Sequence, residues 1–92
     1  MMVYKVIFTI NAVKDATLLQ KDELSAYKKL CKFIEELKIH PTSGTGHPHQ
    51  LTGNRAGQWS RSITKKHRLV YKVQNDEIIV LVLAAYGHYD DH

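Results

Sequence analysis

The sequence predicts an α+β fold, and three changes of pattern along its 92 residues carry that prediction. A β-branched and aromatic run opens the chain. An apolar stripe at three- and four-residue spacing follows, and the last third alternates apolar with polar residues before a wholly apolar run. That order gives an N-terminal strand, two helices and then a three-strand antiparallel meander, with the helices packed on one face of a small twisted sheet. At 43% hydrophobic and 24% charged residues, the composition is that of a globular protein. No repeat, low-complexity tract or Pro/Gly/Ser linker divides residues 1–92, so a single domain with one modest core is expected.

The first strand is expected over Val3–Ile10, where β-branched and aromatic residues concentrate. Asn11 is placed to cap a short helix over Ala12–Gln20, and Asp22 to cap a second. On the second helix Leu24, Tyr27, Leu30, Cys31, Ile34 and Leu37 form one apolar stripe, which makes Cys31 a small core residue. Acids at its start, with Lys38 and His40 at its end, suit the helix dipole, and Pro41 closes it. A loop is expected from Pro41 to Gln50. Gln58–Thr64 then sets Trp59, Arg61 and Ile63 on one face against Ser60, Ser62 and Thr64 on the other. Lys65-Lys66 makes a tight turn, with His67 as a turn residue. His67–Gln74 alternates Leu69, Tyr71 and Val73 with Arg68, Val70 and Lys72, and Asn75-Asp76 turns the chain again. Ile78–Tyr86 is apolar throughout, as a strand buried on both faces is, so it is expected at or near the sheet centre.

Charge is distributed unevenly. All 9 acids lie outside residues 38–74, a segment that holds Lys38, Arg55, Arg61, Lys65, Lys66, Arg68 and Lys72 with His40, His47, His49 and His67. Such a segment attracts polyanions, nucleic acid first among them. No apolar run approaches the ~20 residues that span a bilayer, and MMVYKVIF lacks the features of a signal peptide, so no membrane partner is expected. One cysteine fits a reducing cytoplasm.

Chemistry has three candidate locations: the loop GTGHPHQL at 44–51, the basic strands with Arg61 and Arg68, and the terminal GHYDDH, where His88 and Tyr89 follow the apolar strand. Imidazoles suit zinc, but CxxC and HExxH spacings are missing and no carboxylate neighbours the loop, so neither a metal site nor a cofactor is assigned. Cys31 lacks the electropositive setting of a reactive thiolate, and there is no Gly-x-Ser-x-Gly elbow. Acid–base chemistry with cationic stabilisation remains, a set that RNA cleavage uses among other reactions.

Residues 41–89, with GTGHP at 44–48, QWSRSITKKHRLVYKV at 58–73 and GHY at 87–89, resemble the Txe/YoeB group of toxins within the RelE/ParE superfamily. The first forty residues agree with that group in layout alone. The resemblance implies a RelE-like fold and a cytoplasmic, ribosome-dependent mRNA endoribonuclease that cuts in the A site by metal-independent 2′-hydroxyl attack. The partners implied are the ribosome, its mRNA and a cognate antitoxin, expected to be small and acidic, with homodimer formation left open. Within the group's motifs Arg68 stabilises the transition state, His88 is the general acid, Tyr89 places the nucleotide and Arg61 contacts phosphate. Lys65, Lys66 and Arg55 are the further cations expected to bind RNA.

Position 49 departs from the group, which carries a glutamate base in G-x-G-x-P-E-x-L where this chain has His49. A neutral imidazole takes protons near pH 7, so His49 is expected to act as the base; the alternative is that the position has lost its role. Two other functions stay open: non-enzymatic inhibition of DNA gyrase, as in ParE-type relatives, and inactive RNA binding.

Overall fold

The computed structural model describes residues 3–76 and 79–87. β1 (Lys5–Phe8) leads into α1 (Ile10–Asp22) and α2 (Leu24–Leu37). Next come β2 (His49–Gln50), a short 3₁₀ turn at Gly53–Arg55, β3 (Trp59–Ser62), β4 (Arg68–Gln74) and β5 (Ile79–Ala84). One five-stranded sheet has the order β1-β5-β4-β3-β2. β1 runs parallel to β5, and the other pairs are antiparallel. Among the described residues no helix is long and apolar enough to cross a membrane.

The α+β layout and the meander agree with expectation, and two features refine it. A fifth strand, β2, occupies the end of the expected loop. Two residues carry no periodicity of their own, and β2 exists because His49 and Gln50 pair with Ser60 and Trp59. β5 is flanked by β1 and β4, one place from the centre that β4 occupies.

The helix ends also differ from the sequence pattern. Thr9, not Asn11, caps α1, its hydroxyl accepting from the Ala12 N–H at 3.1 Å. Asp22 closes α1, and Glu23 stands at the N-cap of α2 without a side-chain cap bond, because its carboxylate is bonded to His67. The core face of α2 is Ala26, Leu30, Phe33 and Leu37, whereas Leu24 and Cys31 are exposed. Phe33 outweighs both: its larger ring buries more apolar surface and so sets the helix rotation. That ring lies against Gly46, where a Cβ would come within 2.6 Å of it and φ is +81°, so only glycine fits.

The core lies between the helices and one sheet face. Leu19, Leu30 and Phe33 pack there against Ile63, Leu69, Tyr71, Val80 and Val82. Alternation along β3 puts Arg61 on this inner face beside Trp59, and its side chain is 0% exposed. A guanidinium has five N–H donors in a fixed fork, and each has an acceptor. Nε donates to the Tyr71 hydroxyl at 3.1 Å, and Nη1 to Glu36 Oε1 at 2.8 Å and the Thr45 carbonyl at 3.3 Å. Nη2 donates to the carbonyls of His40 at 2.6 Å and Ser43 at 2.8 Å. The rings of Phe33 and Tyr71 each have their centroid 5.9 Å from the guanidinium carbon. The Tyr71 hydroxyl in turn donates to the Pro41 carbonyl at 2.7 Å, and burial raises its pKa above the usual 10.0 despite the opposing pull of Arg61.

Burial pushes the Glu36 carboxyl up, but hydrogen bonds from the Thr45 hydroxyl and amide and from Arg61 outweigh it, leaving the group below its usual 4.5. Its stabilising contribution is therefore present above pH 4.5 and disappears as pH falls through the lower folded-state value. Two outcomes follow. Arg61→Lys keeps the charge but loses the fork, and should lower stability by about 3 kcal/mol in urea unfolding, most of the cost being carbonyls left without donors; a loss under about 0.5 kcal/mol, the range of an ordinary surface substitution, would remove Arg61 from this role. Glu36→Gln should lower the melting temperature near neutrality, and the gap to wild type should close as pH falls below 4.5 and through the lowered folded-state value. A gap that stays constant with pH would mean that Glu36 ionisation contributes nothing.

Candidate active site

The sheet face turned away from the helices carries Ser60 and Ser62 of β3 together with Arg68 and Lys72 of β4, beside apolar residues such as Val70. Strand register aligns His49, Ser60, Val70 and Ala84 in one row, and Ser62 with Arg68 in the next. His49 and Arg68 thus stand on the same face, two strands apart and one diagonal step along, about 12 Å between Cα atoms by strand spacing. Ser60 and Ser62 lie between them. Lys5 and Lys72 extend the same face, and none of these residues is an acid.

Arg68 Nη1 donates to the Ser62 hydroxyl. Arg68 Nε and Ser60 Oγ are buried and have no hydrogen-bond partner among the described residues. Buried polar atoms are nearly always paired, so these two stand out within the patch.

The loop before β2 orients His49. The Gly46 carbonyl accepts from the Ser62 N–H at 2.7 Å, tying the loop to the end of β3. His47 adopts a left-handed φ of 53°, uncommon outside glycine, and its carbonyl accepts from His49 Nδ1 at 3.0 Å. A carbonyl cannot donate, so Nδ1 carries a proton. Of the two ring nitrogens, Nε2 is therefore the one through which a neutral ring would act as a base.

Several expected site residues lie elsewhere. Arg61 is the clearest correction: it faces the helices, its charge is met by Glu36 and its donors are all engaged, so it organises backbone and does not contact phosphate. Lys65 and Lys66 are exposed in the turn between β3 and β4, where Thr64 Oγ1 accepts from the N–H groups of Lys66 and His67 at 3.1 Å each. Lys66 Nζ is 3.8 Å from Glu23, on the helix side. Arg55 belongs to the 3₁₀ turn and donates to Gln58 Oε1 at 3.1 Å. His88 and Tyr89 lie outside the described residues.

Sequence reasoning missed two groups. Ser60 and Ser62 attract no attention by type, although period-two alternation already puts them on the face of Arg68. His67 is not a turn residue but fully buried, held by Glu23 and the backbone of Gly87. Its bond lowers the Glu23 carboxyl below 4.5, against the opposing effect of burial. Among the described residues no three His, Cys, Asp or Glu side chains gather where a metal ion could sit.

The family model of a "YoeB-like toxin of bacterial type II toxin-antitoxin system" matches residues 8–89. Toxin YoeB of Escherichia coli K12 is 35% identical over 85 residues, which are 92% of this chain and 99% of that protein. A YoeB/ParE toxin from Agrobacterium tumefaciens superposes with a TM-score of 0.86 at 33% identity, covering 92% of this chain and 99% of that one. YoeB of Staphylococcus aureus, solved in complex with YefM, gives a TM-score of 0.80 at 26% identity, covering 94% of this chain and 98% of that one. With a match across most of its length and a relative of this identity covered almost end to end, the chain belongs to the YoeB-like toxin family of bacterial type II toxin–antitoxin systems.

Proposed function

We propose that the protein is a ribosome-dependent mRNA endoribonuclease held in check by a cognate antitoxin. The observation that supports this most is the shared face of His49 and Arg68, with Arg68 Nε and Ser60 Oγ buried and unpartnered among the described residues. His49 Nε2 takes the proton of a ribose 2′-hydroxyl, and the 2′-oxygen attacks the adjacent phosphorus. Arg68 neutralises charge on the pentavalent phosphorane. His88 protonates the departing 5′-oxygen, and Tyr89 stacks on the nucleotide. The products are a 2′,3′-cyclic phosphate and a 5′-hydroxyl, so protons balance without a metal. Lys65, Lys66, Arg55 and Lys72 add electrostatic attraction for the RNA backbone. A small acidic antitoxin suits the positive segment by charge complementarity, and the YoeB–YefM toxin–antitoxin complex of S. aureus supports an antitoxin as partner. The ribosome as target implies action in the cytoplasm.

Induction in a bacterium should arrest growth and leave mRNA cuts inside translated codons; arrest without cuts sinks the nuclease reading, and loss of gyrase supercoiling in its place would establish the ParE-like one. In single-turnover cleavage on programmed ribosomes, His49→Ala and Arg68→Ala should each slow the cut by about 10²–10⁴. His49→Glu, which restores the residue usual in the group, should recover most of that loss. Cleavage by His49→Ala at the wild-type rate would show that His49 is not the base.

A further inference from the structure

Glu23, His67 and Gly87 come from the junction of the helices, the start of β4 and the end of β5, and they meet through one imidazole. His67 is 0% exposed and packs on Tyr86 with ring centroids 4.4 Å apart. Its Nε2 bonds to Glu23 Oε2, and its Nδ1 lies 2.8 Å from the backbone nitrogen of Gly87. A backbone N–H only donates, so Nδ1 must accept and Nε2 must carry the proton given to Glu23. The ring is the neutral tautomer, and the chain of donors runs from Gly87 through His67 to the carboxylate.

Gly87 is also held on its other side, its carbonyl accepting from the Arg68 N–H at 3.0 Å. Its φ of 76° is one that glycine adopts without strain. Two residues earlier, the Ala85 N–H donates to Asp15 at 3.0 Å. The backbone is therefore gripped at alternate residues where it leaves the sheet, immediately before His88.

We propose that the Glu23–His67 pair is a positioning clamp: by accepting the Gly87 N–H it sets where the backbone leaves β5, at the residue from which the chain continues to His88. This rests on the reading of His88 as general acid. His67 touches neither RNA nor the reacting atoms, so its effect passes through Gly87.

Two substitutions separate the clamp from simple packing. The amide oxygen of asparagine falls where Nδ1 is, and the amide of glutamine falls where Nε2 is. His67→Asn thus keeps an acceptor for Gly87 and loses Glu23, while His67→Gln does the reverse. Both lose the contact with Tyr86, so a role in packing alone predicts the same loss for each. At saturating ribosomes, His67→Gln should cleave at least about tenfold more slowly than wild type, with the concentration for half-maximal cleavage unchanged, whereas His67→Asn should stay within about threefold, since small misplacements of a reacting group cost up to ~10²-fold. Amide hydrogen exchange at Gly87 should be slow in wild type and His67→Asn and fast in His67→Gln. Equal cleavage by the two variants, or equal Gly87 protection in them, overturns the clamp. If wild type itself leaves mRNA intact, the nuclease reading fails, and Gly87 exchange still reports on the clamp separately. Should neither variant fold, ¹⁵N NMR of the wild-type imidazole decides: Nδ1 without a proton supports the clamp, and the opposite tautomer rules it out.

Discussion

A single buried cation organises the irregular backbone between α2 and β2. The carbonyls of His40, Ser43 and Thr45 have turned inward to Arg61. Carbonyls taken out of water need donors, and here one side chain supplies what a helix or ladder would supply elsewhere. Burying a charge is costly, and two features offset the cost. Glu36 lies 2.8 Å away, and the cation sits beside the C-terminal end of α2, where the helix dipole favours positive charge. Everything downstream depends on this arrangement: Gly46 against Phe33, the left-handed His47, and a strand of two residues that could not hold its own place. His49 is therefore positioned by the loop more than by the sheet ladder.

The same sheet separates two kinds of charge. On the helix side the acids are engaged: Glu36 with Arg61, Glu23 with His67 and Lys66, and Asp15 with the Ala85 N–H. On the other side Lys5, Lys72, His49 and Arg68 share a face that bears no carboxylate in its strand rows. The net charge of +4 is thus not spread evenly. Partition by sheet face concentrates a positive field on the side away from the helices, while the core keeps its cation neutralised.

The fold class was legible because period-two and period-3.6 patterns occupy separate stretches of this chain, with little ambiguity between them. Burial of Arg61 was legible in part: alternation grouped it with Trp59 and Ile63, yet its residue type pointed to phosphate. Pattern was the better guide there, because the partners that make burial tolerable lie 10 to 25 residues away. β2 was not legible, since its pairing is with β3 and not within itself. Cys31 and Leu24 fell on a helical stripe that suited them as well as it suits Phe33, and only contact with Gly46 selects among rotations. For His67, the partners Glu23 and Gly87 are 44 and 20 residues distant, beyond any local signal.

Cleavage by 2′-hydroxyl attack requires a base and an acid on opposite sides of one phosphorus, with the cation between. In the proposed scheme the base, His49, begins a two-residue strand that follows a loop, and the acid, His88, comes after Gly87 in sequence. What they share is the β3–β4 hairpin. Arg61 and Ser62 on β3 anchor the loop that leads to His49. His67 and Arg68, at the start of β4, hold Gly87 before His88. Arg68 belongs to the same rigid pair of strands. Both anchors and Arg68 thus belong to one hairpin, the kind of rigid element on which a preorganised site is best built.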